Sequence, residues 1–335
     1  GGLIAITGTN GKSTLTEFLV HALQATGSEA FAAGNVGFPL SRFFESNRDE
    51  TATAVCEVSS FQAENLRAFR PQALLWTNVS EDHLDRHGSM RGYFAAKWRL
   101  VERLSRPRLF IGPSVAKWAG RLGYQLPPFT VVVNEDESCG PEGSPFAMPP
   151  QSRNYALAKA FWDHDCLELG ALEEAAKTFK LSPHRLAVVA EFGGVRFWND
   201  SVATNFSAAE AALASVPEPV VWIGGGRNKG GDMTAFAERI AHHFHAAVLL
   251  GESSESLADL LTTHGARVAR VTSLELAVKQ AQDLCPSGGS VLFSPGFASF
   301  DMFKNYADRG EQYCRAVLGL KASQPRPTVT ECVEP

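Results

Sequence analysis

Short runs of consecutive apolar and β-branched residues recur along the chain, separated by stretches in which apolar positions repeat with helical spacing. In the first half these runs are Leu3–Thr7, Thr53–Val58, Ala73–Val79 and Arg108–Ile111, each next to an amphipathic segment, of which Lys12–Ala25 is the first. A run apolar at successive positions has no wet face, so the pattern predicts a mostly parallel sheet covered by helices. From Pro113 to Gln151 the periodicity weakens and Pro, Gly and acidic residues accumulate around one strand-like run, Phe129–Val133. That composition predicts an irregular excursion or a sheet edge. Helical spacing returns over Asn154–Asp163 and Leu169–Phe179, then Leu181-Ser182-Pro183-His184-Arg185 interrupts it, which sets a first domain at residues 1–181.

A second series follows: Leu186–Glu191, a turn at Gly193-Gly194, Val195–Trp198, Pro219–Ile223, Ala246–Leu250, Arg267–Val271 and Ser290–Phe293, with helices between. It predicts a Rossmann-like, doubly wound α/β domain over 182–320. Residues 321–335 are polar and proline-rich and are expected to be a disordered tail. The whole is an α/β protein of two domains, and 335 residues with 44% hydrophobic content suffice for two cores. A net charge of −5 with scattered cations argues against a nucleic-acid partner. No apolar run has the length of a membrane span, and none forms a signal segment at the start. The six cysteines lack metal or disulfide spacing, which points to a reducing, cytoplasmic setting.

Chemistry concentrates at the predicted strand ends, where open α/β sheets bind ligands. Gly8-Thr9-Asn10-Gly11-Lys12-Ser13-Thr14 joins the first strand to the first helix. Backbone N–H groups of such a turn surround a phosphate, Lys12 adds charge, and Ser13 can reach Mg2+. The loop is shorter than the common GxxxxGK[ST] pattern, and it predicts an ATP-type triphosphate site. Glu57 ends the run Thr53–Cys56, placed either to hold Mg2+ or as a solvated strand end. The segment Asn78-Val79-Ser80-Glu81-Asp82-His83-Leu84-Asp85-Arg86-His87 is dense in metal and proton-transfer groups, with a helix cap at Asp82 as the plain alternative. Lys97, in Ala95-Ala96-Lys97-Trp98, reads from its helical context as a snorkelling surface lysine.

Together these strings resemble the ATP-dependent Mur ligases, and within them the glutamate-adding subfamily. The resemblance runs from the glycine loop through Gly34-Asn35-Val36-Gly37, Glu57-Val58-Ser59-Ser60-Phe61-Gln62, Asp82-His83-Leu84-Asp85-Arg86, Ala95-Ala96-Lys97, Pro183-His184-Arg185, Asn199-Asp200-Ser201 and Ala203-Thr204-Asn205 to Ser294-Pro295-Gly296 and Ser299. It implies an ADP-forming ligase that joins glutamate to UDP-N-acetylmuramoyl-L-alanine through an acyl phosphate, in peptidoglycan precursor synthesis and hence in cell shape and division. In the roles it implies, Gly8, Thr9, Asn10, Gly11, Lys12, Ser13 and Thr14 bind ATP phosphates, with Arg185 on the phosphates, Asp200 on the ribose and Asn154 near the adenine. Ser13 and Glu57 hold one Mg2+; His83 and a carbamylated Lys97 serve a second, which inverts the plain reading of Lys97. Lys12, His83 and Lys97 are the catalytic set. Asn35, Ser59 and Gln62 position the acyl substrate, and Thr204, Lys229, Ser299 and Tyr306 receive glutamate.

Two departures qualify the match. Val202 stands where the subfamily usually has lysine, so an altered D-glutamate pocket and a pocket for L-glutamate are both open. Members of the family usually carry a further N-terminal domain for the uridine end of the substrate, whereas this sequence opens at the strand feeding the glycine loop; a fragment and a loss of uridine binding are both expected readings. A related amide ligase acting on another carboxylate is an alternative activity. A nucleotide-binding module without turnover is another, and the presence of Glu57, His83 and Lys97 argues against it. A monomer is expected.

Overall fold

A computed structural model describes residues 2–41, 51–134 and 139–323. The chain divides into two compact units, Gly1–Ser182 with Lys229–Gly231, and Pro183–Asn228 with the chain from Asp232 onward.

In the first unit β1 (Leu3–Thr7), β2 (Ala30–Gly34), β3 (Thr53–Glu57), β4 (Ala73–Trp76), β5 (Leu109–Ile111) and β6 (Thr130–Val132) form a sheet in the order β2-β3-β1-β4-β5-β6 among the described residues. Every pairing is parallel. Each strand alternates its side chains between two buried faces: Ile4 and Ile6 join Phe18, Leu19 and Leu75 on one, while Ala5 packs with Leu74, Trp76 and Phe94 on the other. That double burial explains the consecutive apolar runs. The carboxyl ends of β1 to β4 lie side by side, so the glycine loop, Gly34-Asn35, Glu57 and Thr77-Asn78 share one rim.

The second unit holds β7 (Ala187–Phe192), β8 (Val195–Asn199), β9 (Val220–Gly224), β10 (Ala246–Leu249), β11 (Val268–Arg270) and β12 (Ser290–Phe293) in the order β11-β10-β9-β12-β8-β7. Its strands are parallel except β7, which forms an antiparallel hairpin with β8 across Gly193-Gly194. Val220 and Trp222 face one core, Val221 and Ile223 the other.

Two elements depart from the sequence expectation. The stretch after Pro113 begins with a regular helix, Pro113–Leu122, with Pro at its first turn and Gly123 closing it in a left-handed conformation. Pro and Gly act there as a start and a stop, not as breakers. Strand β2 was not foreseen, because Ala30-Phe31-Ala32-Ala33-Gly34 lacks β-branched residues. It forms because its backbone pairs with β3 along its length. The last helix, Tyr306–Ala322, runs through the expected boundary at residue 321, and the tail from 324 lies outside the described residues. Among the described residues no helix is long and apolar enough to cross a membrane.

Candidate active site

The glycine loop is pinned from the next strand end. Thr9 N–H donates to the Asn78 carbonyl at 3.0 Å, Asn10 N–H to Asn78 Oδ1 at 2.9 Å, and the Thr77 hydroxyl to the Asn10 carbonyl at 2.6 Å. Gly11 starts helix Lys12–Ala25 with φ 83° and no side-chain cap hydrogen bond, and the first turn of a helix is where an anion is favoured. Lys12 Nζ donates to the Thr9 carbonyl at 2.8 Å, which lays its charge across the loop. Gly8 has φ 150°, and a Cβ there would lie 1.9 Å from Thr77 Oγ1. Gly8→Ala is therefore expected to cost ~1–3 kcal/mol of stability and to weaken ATP binding at least about tenfold, read by thermal melting and calorimetric titration.

Two buried groups of opposite charge stand at this rim. Glu57 is 1% exposed; Asn35 donates Nδ2 to its Oε1 at 2.7 Å, and its Oε2 has no hydrogen-bond partner. A buried carboxylate oxygen without a donor calls for a cation. Among the described residues no three His, Cys, Asp or Glu side chains converge on a metal position. That suits Mg2+, which takes one or two carboxylates and fills its shell with phosphate oxygens and water. Glu57, with the Ser13 hydroxyl in the first turn of the helix, fits that donor set.

Lys97 is also 1% exposed, which rules out the snorkelling reading. Its Nζ donates to the Gly8 carbonyl at 2.8 Å and to Thr7 Oγ1 at 3.3 Å, and lies 4.9 Å above the Tyr93 ring. Burial, aided by the charge of Lys12, holds its amine well below the usual lysine range despite Asp82 and Glu57. A neutral, nucleophilic amine is the form that adds CO2.

His83 precedes the four-residue helix Leu84–His87 with φ 54°, and its N–H donates to Asp82 Oδ1 at 3.0 Å. Asp82 thus binds the capping residue and does not itself cap the helix. Burial alone would raise the Asp82 carboxyl, but Lys229, His83 and Lys12 outweigh it and hold it below the ordinary value. The strongest of these is an ion pair with Lys229 Nζ at 2.5 Å, so the lysine expected to receive glutamate is engaged by Asp82. Burial pushes the His83 imidazole below its usual value, leaving it neutral near pH 7. Ser59 and Gln62 form a reciprocal capping box on helix Ser60–Glu64: Gln62 N–H donates to Ser59 Oγ at 3.2 Å, and Ser59 N–H to Gln62 Oε1 at 2.9 Å. Both are fixed, and the box leaves the Gln62 Nε2 end unused. Asn154, 5% exposed, lies against the glycine loop: a Cβ on Gly11 would meet its Oδ1 at 2.5 Å.

In the second unit Arg185 sits between two left-handed residues, His184 at φ 65° and Leu186 at φ 46°. Non-glycine residues seldom adopt that conformation, and here Asp200 and Asn199 hold it: Leu186 N–H donates to Asp200 Oδ1 at 3.2 Å, and Asn199 Nδ2 donates to His184 Nδ1 at 3.0 Å. Ser294 Oγ donates to Asp200 Oδ2 at 2.8 Å. Thr204 follows in the same loop, and Ser299 and Tyr306 come to it through Arg309. That guanidinium, 2% exposed, donates to Ser201 Oγ, the Ser201 carbonyl and the Phe297 carbonyl, while Ser201 Oγ donates to the Tyr306 carbonyl. Val202 N–H donates to the His184 carbonyl at 3.3 Å.

Burial pushes the Asp200 carboxyl from 3.8 up to about 7, against the Ser294 and Leu186 hydrogen bonds and the charges of Arg185 and Arg309. A carboxyl whose native pKa is raised stabilises the fold at low pH and loses that contribution as pH climbs through the native value. Asp200→Asn keeps the acceptor for the Leu186 N–H and reverses the Ser294 contact, its amide donating to the hydroxyl oxygen, without the charge. It is expected to be the more stable protein at pH 8 by roughly 2–4 kcal/mol, with the gap closing toward pH 4. Thermal melts across that range check it, and a gap independent of pH would contradict it.

Arg309, Thr77 and Tyr93 carry no signal of their own in the sequence. Tyr93 Oη lies 3.1 Å from Thr9 Oγ1 across 84 residues of sequence, and no local pattern announces such a contact.

A sequence profile of the Mur ligase middle domain matches residues 6–133, and one of the Mur ligase glutamate ligase domain matches 184–297. The UDP-N-acetylmuramoylalanine–D-glutamate ligase of Desulfotalea psychrophila is 36% identical over 95% of this chain and 74% of its own length. Among solved structures, MurF from Acinetobacter baumannii superposes with a TM-score of 0.71 at 16% identity, over 95% of this chain and 76% of that one. MurF from Thermotoga maritima, in complex with ADP, gives 0.68 at 16% identity over 95% and 79%. The chain spans about three quarters of the length of these proteins. With both domain profiles matched in order and identity sustained over nearly the whole sequence, the chain belongs to the Mur ligase family of ATP-dependent amide ligases.

Proposed function

We propose that this chain joins D-glutamate to the alanine carboxylate of UDP-N-acetylmuramoyl-L-alanine, with Mg2+ and ATP, as a cytoplasmic step in peptidoglycan precursor synthesis. The observation that carries this reading is the pair of buried ionisable side chains, the Glu57 carboxyl and the Lys97 amine, at the strand ends beside the glycine loop. The substrates are those named for the Desulfotalea relative.

The acceptor carboxylate attacks the γ-phosphorus, ADP leaves, and the acyl phosphate forms. The glutamate amine then attacks the acyl carbon, and phosphate and a proton depart. Both steps gather negative charge on oxygen. Lys12 and the N–H groups of the glycine loop hold the phosphates. Ser13 and Glu57 would hold one Mg2+, and His83 with a carbamylated Lys97 a second; when bound, such ions would supply positive charge against the phosphoryl oxygens. Asn35 reaches the site while fixing the Glu57 carboxylate, and Gln62 offers its unused Nε2 to the acyl substrate. Arg185 and Asp200 take the phosphates and ribose of ATP, and Asn154 binds nucleotide from its place at the loop. Thr204, Ser299 and Tyr306 receive the glutamate carboxylates in the second unit, where Arg309 ties Ser201 to Phe297; Lys229, paired with Asp82, is given the same ligand by resemblance.

L-glutamate is a second reading, favoured by Val202 in place of a cation. ADP release and product mass are measured with the UDP-linked acceptor and a panel of D- and L-amino acids. Turnover is expected with one glutamate enantiomer, and inactivity with both overturns the proposal.

A further inference from the structure

Helix Leu84–His87 is a single turn of four residues, too short to hold itself, yet the residue that starts it, His83, keeps a left-handed backbone. The imidazole of His83 lies 3.7 Å from Asp82 Oδ2 and within the fields of Lys229, Lys12 and Asp85. Its ring also lies against the Phe61 ring, 4.8 Å away between centroids. Phe61 is itself 40% exposed and is also contacted by His87 at 5.7 Å and by the Arg86 guanidinium at 5.3 Å.

The His87 side chain is 1% exposed and fully engaged: Nδ1 lies 3.0 Å from Glu64 Oε1, and Nε2 lies 3.0 Å from Ser60 Oγ. A carboxylate only accepts, so Nδ1 carries the proton, and Nε2 of the neutral ring accepts from the Ser60 hydroxyl. Burial favours that neutral ring against the pull of Glu64. Glu64 is anchored in turn by Arg86 at 2.9 Å, and its carbonyl accepts from Arg99 at 2.6 Å. Carboxylate, imidazole and hydroxyl stand in the order of a nucleophilic triad. Ser60 is only 3% exposed at the first turn of its helix, however, so no substrate carbonyl reaches it and the arrangement is a brace.

We propose that His87, locked between Glu64 and Ser60, is a positioning residue that acts through Phe61 to aim the His83 imidazole at the phosphoryl-transfer site. This rests on the role given to His83 above. Outer residues that orient a metal-binding histidine typically control about tenfold to hundredfold in metal affinity.

The test uses the full chain labelled at histidine, with the His83 signals assigned through His83→Gln. In the unaltered protein the Phe61 ring current displaces the His83 ring protons. His87→Ala and Phe61→Leu are each expected to return these signals toward free-histidine positions and to raise the Mg2+ concentration for half-maximal ADP formation about tenfold or more. Ser60→Ala, which removes one partner and no bulk, gives a smaller shift in the same direction and covers the case in which His87→Ala fails to fold. Unmoved His83 signals in both Phe61→Leu and Ser60→Ala overturn the proposal. A protein whose signals shift as described but which never forms ADP upholds the brace and overturns the ligase assignment instead.

Discussion

Lys97→Met removes ATP-dependent ligation, with kcat lowered by at least about a thousandfold while ATP affinity measured without Mg2+ stays within a few fold. The unequal effect follows from where the amine sits. Its Nζ touches the Gly8 carbonyl and Thr7 Oγ1 behind the glycine loop, so it supports the loop from beneath and leaves the phosphate-facing N–H groups untouched. Burial lowers the amine well below the usual lysine range, which favours the neutral form that the proposed carbamate requires. Methionine fills the same volume and can form no carbamate. Arginine is no substitute either, because its guanidinium stays charged and adds no CO2. Coupled detection of ADP and titration of ATP on the same preparation decide the matter, and ligation within tenfold of the unaltered protein would falsify the role.

Glu57→Gln carries the second large effect, in two readouts of opposite sign. The isosteric amide keeps an oxygen for Asn35 and removes the charge from an oxygen that has no partner. The ligand-free protein is expected to melt no lower than the original and to gain up to ~2 kcal/mol, since a buried charge without a partner has been removed. In the assay the Mg2+ requirement rises at least about tenfold and kcat falls about a hundredfold or more. A variant that loses activity and stability together would mean that Glu57 is a structural residue.

These two residues illustrate how far the sequence could be read. The glycine loop and Glu57 are legible because the chemistry is local: a strand, a turn and a helix in immediate succession. Lys97 reads from its own neighbours as a surface residue; its burial depends on Thr7 and Gly8, 90 and 89 residues away, which no helical spacing reveals. The same holds for Arg309, whose partner Ser201 lies 108 residues away, and for the Ser60 contact of His87, 27 residues away. Strand β2 shows the converse. Its alanines carry little intrinsic preference, and pairing with β3 supplies what the residues do not.

Three of the four outer strands among the described residues, all but β2, make poor templates. Among the described residues β6 and β11 have three residues each, and β7 carries a register shift between Val188 and Ala190 where it leaves the ladder's regular spacing. Long, flat outer strands invite a second chain to add on; brief or kinked ones offer too few successive N–H and C=O groups to hold it. The exposed Val131, Val132 and Val188 on these strands are therefore tolerable without a charged guard beside each. At these three margins brevity and irregularity of backbone stand against edge-to-edge association.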